Sequence, residues 1–205
     1  DVTLLDISGD MIKALGSLMK RKTENEKWVE GNWLDAPFDD NCFDVVFGDQ
    51  VKSNVSAEDH KKFYNEIHRV LKPSGYHISR ITSRFPDTRI FSAEEIVDKY
   101  SKIPVSQDSL TEFWNLLVFK THNDLISSTN RMFDILDKYE TKGHLVEYSK
   151  ALKEVLPKGK EWSVGKPWSE ERGSIIEFFE IAEQKSDDTV FADSTFIFLF
   201  KSKKL

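Results

Sequence analysis

The apolar residues of the first 81 positions follow two patterns in turn. Four short strand-like runs lie at residues 2–5, 28–30, 43–47 and 76–81, and the first is of the apolar kind typical of strands covered on both faces. Between them, apolar positions at residues 11–19 and 63–71 recur at the spacing of one helix face. Because strands alternate with helices, this part of the chain predicts a parallel sheet with right-handed crossovers.

The middle of the chain reads as helical. Ser56–Asp59 resembles a capping box and predicts the start of the helix that carries Phe63. Further helices are predicted from Ser92, over residues 109–139 and over residues 145–155. No strand is predicted between residues 86 and 157, so this stretch is expected to form an insert or cap over the functional edge of the sheet.

The end of the chain returns to strands. Residues 175–181 and 195–201 are apolar and aromatic, with a polar loop at residues 184–188, and they predict a terminal antiparallel pair. We therefore expect an α/β fold with a mostly parallel sheet. Its predicted parts are a core at residues 1–85, a helical substrate-binding insert or cap at 86–170 and strands at 171–205 that complete the sheet.

Composition limits the classes of partner. The net charge of −6 without a concentrated basic face argues against nucleic acid, and no apolar run approaches the roughly 20 residues that span a bilayer. A single cysteine, Cys42, excludes an intrachain disulfide and a cysteine-based zinc cluster, and no metal site is predicted. We expect a cytoplasmic protein, either a monomer or a homodimer, that acts without a membrane.

Polar residues collect where the predicted strands end, which is where parallel sheets bind ligands. The Asp6 carboxylate can accept hydrogen bonds from a ribose diol, although an Asp after a strand is more often a helix cap. Asn32 can pair with an adenine amine beside the backbone N–H of Trp33, although an Asn after Gly31 also suits an ordinary turn.

Three segments in this order carry a family resemblance: "LLDISGDMIKAL", "GNWLDAPFDDNCFDVVFGD" and "FYNEIHRVLKPSGYHISR". Together they resemble the class I S-adenosylmethionine-dependent methyltransferases of the type 11 group, over residues 1 to about 85. The resemblance implies a Rossmann-like methyltransferase sheet, S-adenosylmethionine as cofactor and S-adenosylhomocysteine as product. The cofactor-binding positions that it implies are Asp6, Ile7, Met11, Asn32, Trp33, Gly48, Asp49 and Gln50.

Two departures from the family pattern bear on activity. Asn32 stands where the family has an acid, so it keeps an acceptor oxygen but lacks the charge. The family's first strand and its Gly-rich "DxGxGxG" loop occur nowhere in the 205 residues. Either a segment that carries them precedes Asp1 in the complete protein, which we expect, or the protein is degenerate and does not hold the cofactor in the usual way.

Methyl transfer from a sulfonium mainly requires proximity and in-line orientation, so the catalytic residues stay unknown. His60 and His68 are expected to be solvated, and no general base is assigned. Arg80, Arg84 and His122 are candidate substrate contacts, although both arginines equally suit pairing with nearby carboxylates.

We expect a methyltransferase acting on a small-molecule acceptor. The Asn/Asp-Pro-Pro-Tyr/Phe tetrapeptide of enzymes that methylate nucleic-acid bases is absent, which argues further against a nucleic-acid substrate. Two alternatives stay open: a non-catalytic methyltransferase-like binding protein, and another nucleotide-binding α/β enzyme such as a nicotinamide oxidoreductase.

Overall fold

The computed structural model describes residues 1–21, 23–122, 124, 126–163, 166–186 and 189–204. Strands and helices alternate through the first 82 residues, as the apolar pattern predicts. In chain order the elements are β1 (Val2–Asp6), α1 (Gly9–Leu18), β2 (Glu26–Glu30), β3 (Phe43–Asp49), a 3₁₀ helix (Val51–Asn54), α2 (His60–Val70), β4 (Leu71–Thr82), α3 (Ala93–Tyr100), α4 (Gln107–Phe119), β5 (Ile126–Ser128), α5 (Thr129–Tyr139), α6 (Leu145–Val155), β6 (Glu161–Ser163), α7 (Trp168–Ile176), β7 (Phe179–Ser186) and β8 (Thr195–Ser202).

The strands of the core form two separate groups. β1 pairs with β2 in parallel, and a four-stranded group has the order β3-β4-β8-β7. β3 and β4 are parallel, whereas β8 runs antiparallel to both β4 and β7. Register places Asp49 opposite Arg80, and Thr82 opposite Thr195. The predicted α/β fold with parallel strands and a terminal antiparallel pair is therefore confirmed.

One apolar core lies under the four-stranded group. Helices α2 and α7 contribute Phe63, Ile67 and Ile175, which pack with Phe198 and Phe200 of β8, and all five are buried. In β8 the even-numbered aromatic residues face this core because side chains alternate along a strand. The rings of Phe198 and Phe200 stack with centroids 5.2 Å apart. This core fixes the position of β3 and β4, whose carboxyl ends carry candidate site residues.

A second apolar core lies within the helical cap. Helices α3 to α6 bring Val97, Phe113, Leu117, Met132 and Tyr148 together, and each is almost fully buried. The start of α3 follows its prediction: Ser92 Oγ accepts from the N–H of Glu95, whose carboxylate accepts from the N–H of Ser92. The three-part division of the chain stays a prediction that these two cores support.

Several predicted boundaries are wrong. The expected helix over residues 109–139 is broken between α4 and α5, where β5 pairs with β6, so the predicted absence of strands from residues 86–157 also fails. α2 begins at His60, and its N-cap residue Asp59 makes no side-chain capping bond, so Ser56 does not start it.

The predictions for the last third also need correction. Ile175 belongs to helix α7 and not to a strand, and its side chain packs into the core between the helices and the sheet. β7 continues to Ser186 into the predicted loop, and the rest of that loop, residues 187–188, lies outside the described residues. No helix among the described residues has the length and apolar composition needed to cross a membrane.

Candidate functional site

A cavity of about 520 Å³ separates β1 from β3. Its volume lies in the range of small-molecule sites. Residues of β1, of β3 and of α2 form its walls, and it reaches Asp6 and Gly48 at the carboxyl ends of two parallel strands. Of the predicted cofactor contacts, the cavity brings together Asp6, Trp33 and Gly48.

The Asp6 carboxylate is held at the end of β1. Its Oδ1 accepts a hydrogen bond of 2.8 Å from the backbone N–H of Ser8, which is the N-cap of α1. Its Oδ2 makes no hydrogen bond to any residue that the structure describes. Asp6 is therefore an acceptor oriented by the turn before α1, whereas the helix cap itself is Ser8. Ile7 and Met11 lie beside it with exposed side chains, outside the cavity lining.

The corner after β2 packs tightly against the end of β1. A Cβ added at Gly31 would lie 2.8 Å from Pro37 Cδ and 3.0 Å from Leu5 Cδ1, so only glycine fits. The Trp33 indole donates a 3.0 Å hydrogen bond to the carbonyl of Leu5, which fixes the corner to β1. The corner thereby holds Trp33 against the cavity.

Asn32 forms part of this corner but stays outside the cavity lining. Its Oδ1 accepts from the backbone N–H of Leu34 at 2.9 Å, the turn-forming role that the sequence also suggested. A carbonyl oxygen has two lone pairs, so Oδ1 can still accept a second bond. The backbone N–H of Trp33 has no hydrogen-bond acceptor among the described residues.

Arg69 anchors the loop below the corner, a role that the sequence analysis did not assign. Its guanidinium donates to the carbonyls of Ala36 and Phe38 and to the carboxylates of Asp40 and Glu66, at 2.7–3.0 Å. Glu66 also accepts from the N–H of Ala36, so one ion pair fixes both ends of this short segment. The sequence feature that could have indicated this contact is the position of Arg69 in the "RVLKP" segment.

We expect Arg69→Lys to lower the free energy of unfolding by about 1–3 kcal/mol, because an ammonium cannot reproduce the fork of guanidinium bonds. Urea denaturation measures this change, with the exposed Lys61→Arg as a matched control that should stay near zero. Equal stability of Arg69→Lys and the wild type would remove the anchoring role.

Asp49 and Arg80 pair with each other across β3 and β4. The guanidinium donates two bonds, of 2.7 and 2.9 Å, to the two carboxylate oxygens. Gln50 follows in the left-handed region with φ of 56°, and its amide donates to Thr82 Oγ1 at 2.7 Å. The structure thus places all three predicted contacts at one edge, outside the cavity lining, and joins Asp49 to Arg80.

The other two candidate substrate contacts lie where the core meets the cap. Arg84 donates to the carbonyl of Asp124, and the Nδ1 atom of His122 accepts from the N–H of Asp124 at 3.1 Å. The Nε2 atom of His122 lies 3.0 Å from the Val118 carbonyl and 3.0 Å from Ser127 Oγ. Burial and the nearby charge of Arg131 lower the pKa of His122. Both nitrogens of His122 are therefore engaged, Nδ1 with Asp124 and Nε2 with α4 and β5.

A buried charge cluster, which no local sequence pattern indicates, lies behind the 3₁₀ helix. The Glu171 carboxylate lies 2.9 Å from His60 Nδ1 and 3.8 Å from Lys52 Nζ, and it accepts from the Tyr64 hydroxyl at 3.3 Å. His60 is 2 % exposed, so its predicted solvation is wrong. Burial raises the pKa of Glu171, but the His60 hydrogen bond and the Lys52 charge bring it below its ordinary value.

His77 is the buried histidine of the sheet itself. Its Nδ1 donates to the Val46 carbonyl at 3.1 Å, and its ring stacks on Phe200 with centroids 5.6 Å apart. The Nε2 atom is buried and has no hydrogen-bond partner among the described residues. Burial lowers the pKa of His77 to about 4, so the ring is neutral at pH 7.

Comparison with known proteins finds its family-model match in the first part of the chain. Residues 1–79 match the family described as "Methyltransferase domain". A demethylmenaquinone methyltransferase of Staphylococcus epidermidis is 39% identical over 83 residues, which cover 40% of this chain and 33% of that protein. A ubiquinone/menaquinone biosynthesis C-methyltransferase of Brucella canis is 33% identical over 106 residues, which cover 49% of this chain and 36% of the other.

A sterol 24-C-methyltransferase of Gibberella zeae is 34% identical over 76 residues, or 36% of this chain and 20% of that one. The chain thus spans about a third or less of the length of these curated relatives.

Solved structures extend the likeness to the whole fold. The PH0226 protein of Pyrococcus horikoshii has a TM-score of 0.57 at 16% identity. The superposition covers 99% of this chain and 72% of the PH0226 chain. A structure described as S-adenosylmethionine-dependent methyltransferases from Methanosarcina mazei has a TM-score of 0.53 at 14% identity. That superposition covers 98% of this chain and 81% of the other. Residues 1–79 are therefore similar to a methyltransferase domain, and the chain shares the fold of these solved structures.

Proposed function

We propose that the chain binds S-adenosylmethionine at the carboxyl ends of β1 and β3 and directs its methyl group to a small-molecule acceptor. One observation carries the proposal: Asp6, Trp33 and Gly48 come from three separate segments and meet at one cavity. In open α/β sheets, ligands bind outside the carboxyl ends of the strands, which is where these residues lie.

The cofactor-facing groups fit the chemistry of an adenosine. Asp6 Oδ2 has no other partner among the described residues, so it is available to accept hydrogen bonds from ribose hydroxyls. The backbone N–H of Trp33 is available to donate to a ring nitrogen of adenine. The second lone pair of Asn32 Oδ1 can accept from the adenine amine. Of these contacts, we expect Asp6 to contribute most to cofactor binding, because a charged acceptor makes the stronger hydrogen bond.

The bound cofactor supplies a methyl group on a sulfonium, which is a good leaving group. The protein then has to hold the two reactants close together and in line. The Gly31 corner and the Ser8 bond to Asp6 fix the groups that orient the cofactor. The cap helices belong to the segment that joins β4 to β8, and we infer that this segment supplies the acceptor site.

The kind of methyl acceptor is inferred from the printed names of the relatives. Their printed names refer to demethylmenaquinone, ubiquinone, menaquinone and sterols, all of which are small apolar molecules. A small apolar acceptor also suits the aromatic side chains of the cap, where the rings of Trp114 and Trp162 lie 5.8 Å apart. We infer an acceptor of this general kind and not a nucleic acid.

Asp6→Asn is expected to weaken S-adenosylmethionine binding about 10- to 100-fold, since the ribose loses a charged acceptor worth about 1.5–3 kcal/mol. Isothermal titration calorimetry with S-adenosylmethionine and S-adenosylhomocysteine measures the change. Asp10→Asn is the matched control, because Asp10 lies on the exposed side of α1.

Unchanged affinity in Asp6→Asn would remove the ribose role of this residue. Failure of the complete polypeptide to bind either ligand would overturn the proposed function itself.

A further inference from the structure

The 3₁₀ helix that follows β3 forms part of the wall of the proposed cofactor cavity. Its first residue, Val51, lines the cavity together with Gly48 near the end of β3. A Cβ added at Gly48 would lie only 3.4 Å from Val51 Cγ2, so the helix packs directly on this strand end. A shift of the helix would therefore change the shape of the cavity at the carboxyl end of β3.

The conformation of this segment is costly. Gln50, which precedes the helix, has a φ of 56° in the left-handed region that favours glycine. Lys52, within the helix, is 1% exposed, and its Nζ atom makes no hydrogen bond to any residue that the structure describes. A non-glycine residue in this region and a buried ammonium each cost free energy, and strained backbone of this kind clusters at functional sites.

The Glu171 carboxylate is linked to the 3₁₀ helix at two points. Its Oε2 atom lies 3.8 Å from Lys52 Nζ, inside the helix. The same oxygen lies 2.9 Å from His60 Nδ1, and the other ring nitrogen of His60 lies 3.2 Å from the carbonyl of Val55, the C-cap residue of the helix. One carboxylate therefore contacts the middle of the helix directly and its end through an imidazole.

Glu171 is itself fixed where the cap meets the core. It lies in the first turn of α7, and the N–H of Trp168 at the start of α7 donates to the carbonyl of Arg84 at 2.8 Å. Beside this bond, Ser83 Oγ donates to the carbonyl of Lys166 at 2.9 Å. These two bonds join the chain segments that enter and leave the cap. Strand β6 of the cap also lies against the 3₁₀ helix, so the helix is in contact with the cap as well as with the cavity.

We propose that Glu171 is a positioning residue of the methyl-transfer site: through Lys52 and His60 it sets the position of the 3₁₀ helix, and so the shape of the cavity at Val51. The inference rests on the proposed function, because this cavity is the proposed cofactor site. The ion pair serves position more than stability, since replacing both partners of a buried pair with apolar residues is often neutral or stabilising.

The double variant Lys52→Met/Glu171→Met separates position from stability, because it exchanges the ion pair for apolar side chains of similar length. We expect its melting temperature to stay within about 3 °C of the wild-type value. S-adenosylhomocysteine should nevertheless bind about tenfold more weakly in isothermal titration calorimetry, because the cavity wall is no longer held in place. The exposed neighbour Glu170→Gln is the matched control and should change neither quantity. Wild-type affinity in the folded double variant would overturn the proposal.

Hydrogen exchange tests the position of the helix without a ligand. The amides of Ser53 and Val55, which donate to the carbonyls of Gln50 and Lys52, should exchange at least about tenfold faster in the double variant, while the amides of β8 keep their rates. Lys52→Met alone carries the same test if the double variant does not fold. Unchanged exchange of both amides would overturn the proposal. If the wild type binds neither S-adenosylmethionine nor S-adenosylhomocysteine, the proposed function fails, and the exchange rates still decide whether Glu171 sets the position of the helix.

Discussion

Glu171→Gln is expected to lower the free energy of unfolding by about 3–5 kcal/mol, because it removes the only negative charge of a buried cluster. The Lys52 ammonium, 1% exposed, would lose its counter-charge at 3.8 Å. The imidazole of His60, 2.9 Å from the carboxylate, would lose a charged acceptor. Urea denaturation at pH 7 measures the change, and a loss below about 1 kcal/mol would show that the cluster stabilises little.

Two further variants separate charge from packing. Glu170→Gln, one residue earlier and exposed, should leave stability unchanged. Lys52→Met is expected to be neutral or stabilising, because the Lys52 Nζ atom has no hydrogen-bond partner among the described residues and burial lowers its pKa. In the double variant Lys52→Met/Glu171→Gln, part of the loss should be recovered. An additive result would contradict the coupling between these two side chains.

Lowering the pH from 7 to 5 is expected to cost about 2 kcal/mol of stability through His77 alone. The folded pKa of His77 is about 4, below the ordinary histidine value near 6.5. Below pH 6.5 the unfolded chain therefore binds a proton that the folded chain does not. The free energy of unfolding falls as the pH falls from about 6.5 to 4. Below pH 4, His77 contributes no further change.

The comparison of His77→Leu with the wild type isolates this effect from the other titrating groups. The variant loses the hydrogen bond to Val46 at every pH, so that cost cancels in the difference between pH 7 and pH 5. Urea titrations at both values should show about 2 kcal/mol less acid sensitivity in the variant. The same pH dependence in both proteins would mean that His77 takes up its proton without leaving the core.

Local patterns predicted the elements whose residues contact near neighbours in sequence. Helix α6 spans Leu145–Val155 as predicted, because its apolar spacing is regular and uninterrupted. The break between α4 and α5 was not predictable, because it depends on the pairing of Ser127 with Trp162, which are distant in sequence. Ile175 was assigned to a strand since a short apolar run does not distinguish a strand from a buried helix.

For the candidate site, too, local patterns indicate some residues but not those placed by long-range contacts. The strand ends indicated Asp6 and the Gly31 corner, because these positions follow from element order alone. The pairing of Asp49 with Arg80 depends on the register of two strands, which no local pattern specifies. Burial of His60 depends on Glu171 from a helix more than 100 residues away. Long-range contacts of this kind require the structure.

The position of the cap in the chain has a consequence for folding kinetics. β4 and β8 are adjacent strands, and Thr82 pairs with Thr195 across the whole cap sequence. The helices between them have their own apolar core, so they can form early from local contacts. The β4–β8 pairing must wait until the loop closes, and each doubling of loop length adds only about 0.6 kcal/mol to that closure. We therefore expect that the cap can change length during evolution at small cost to the sheet, and that the sheet closes late in folding.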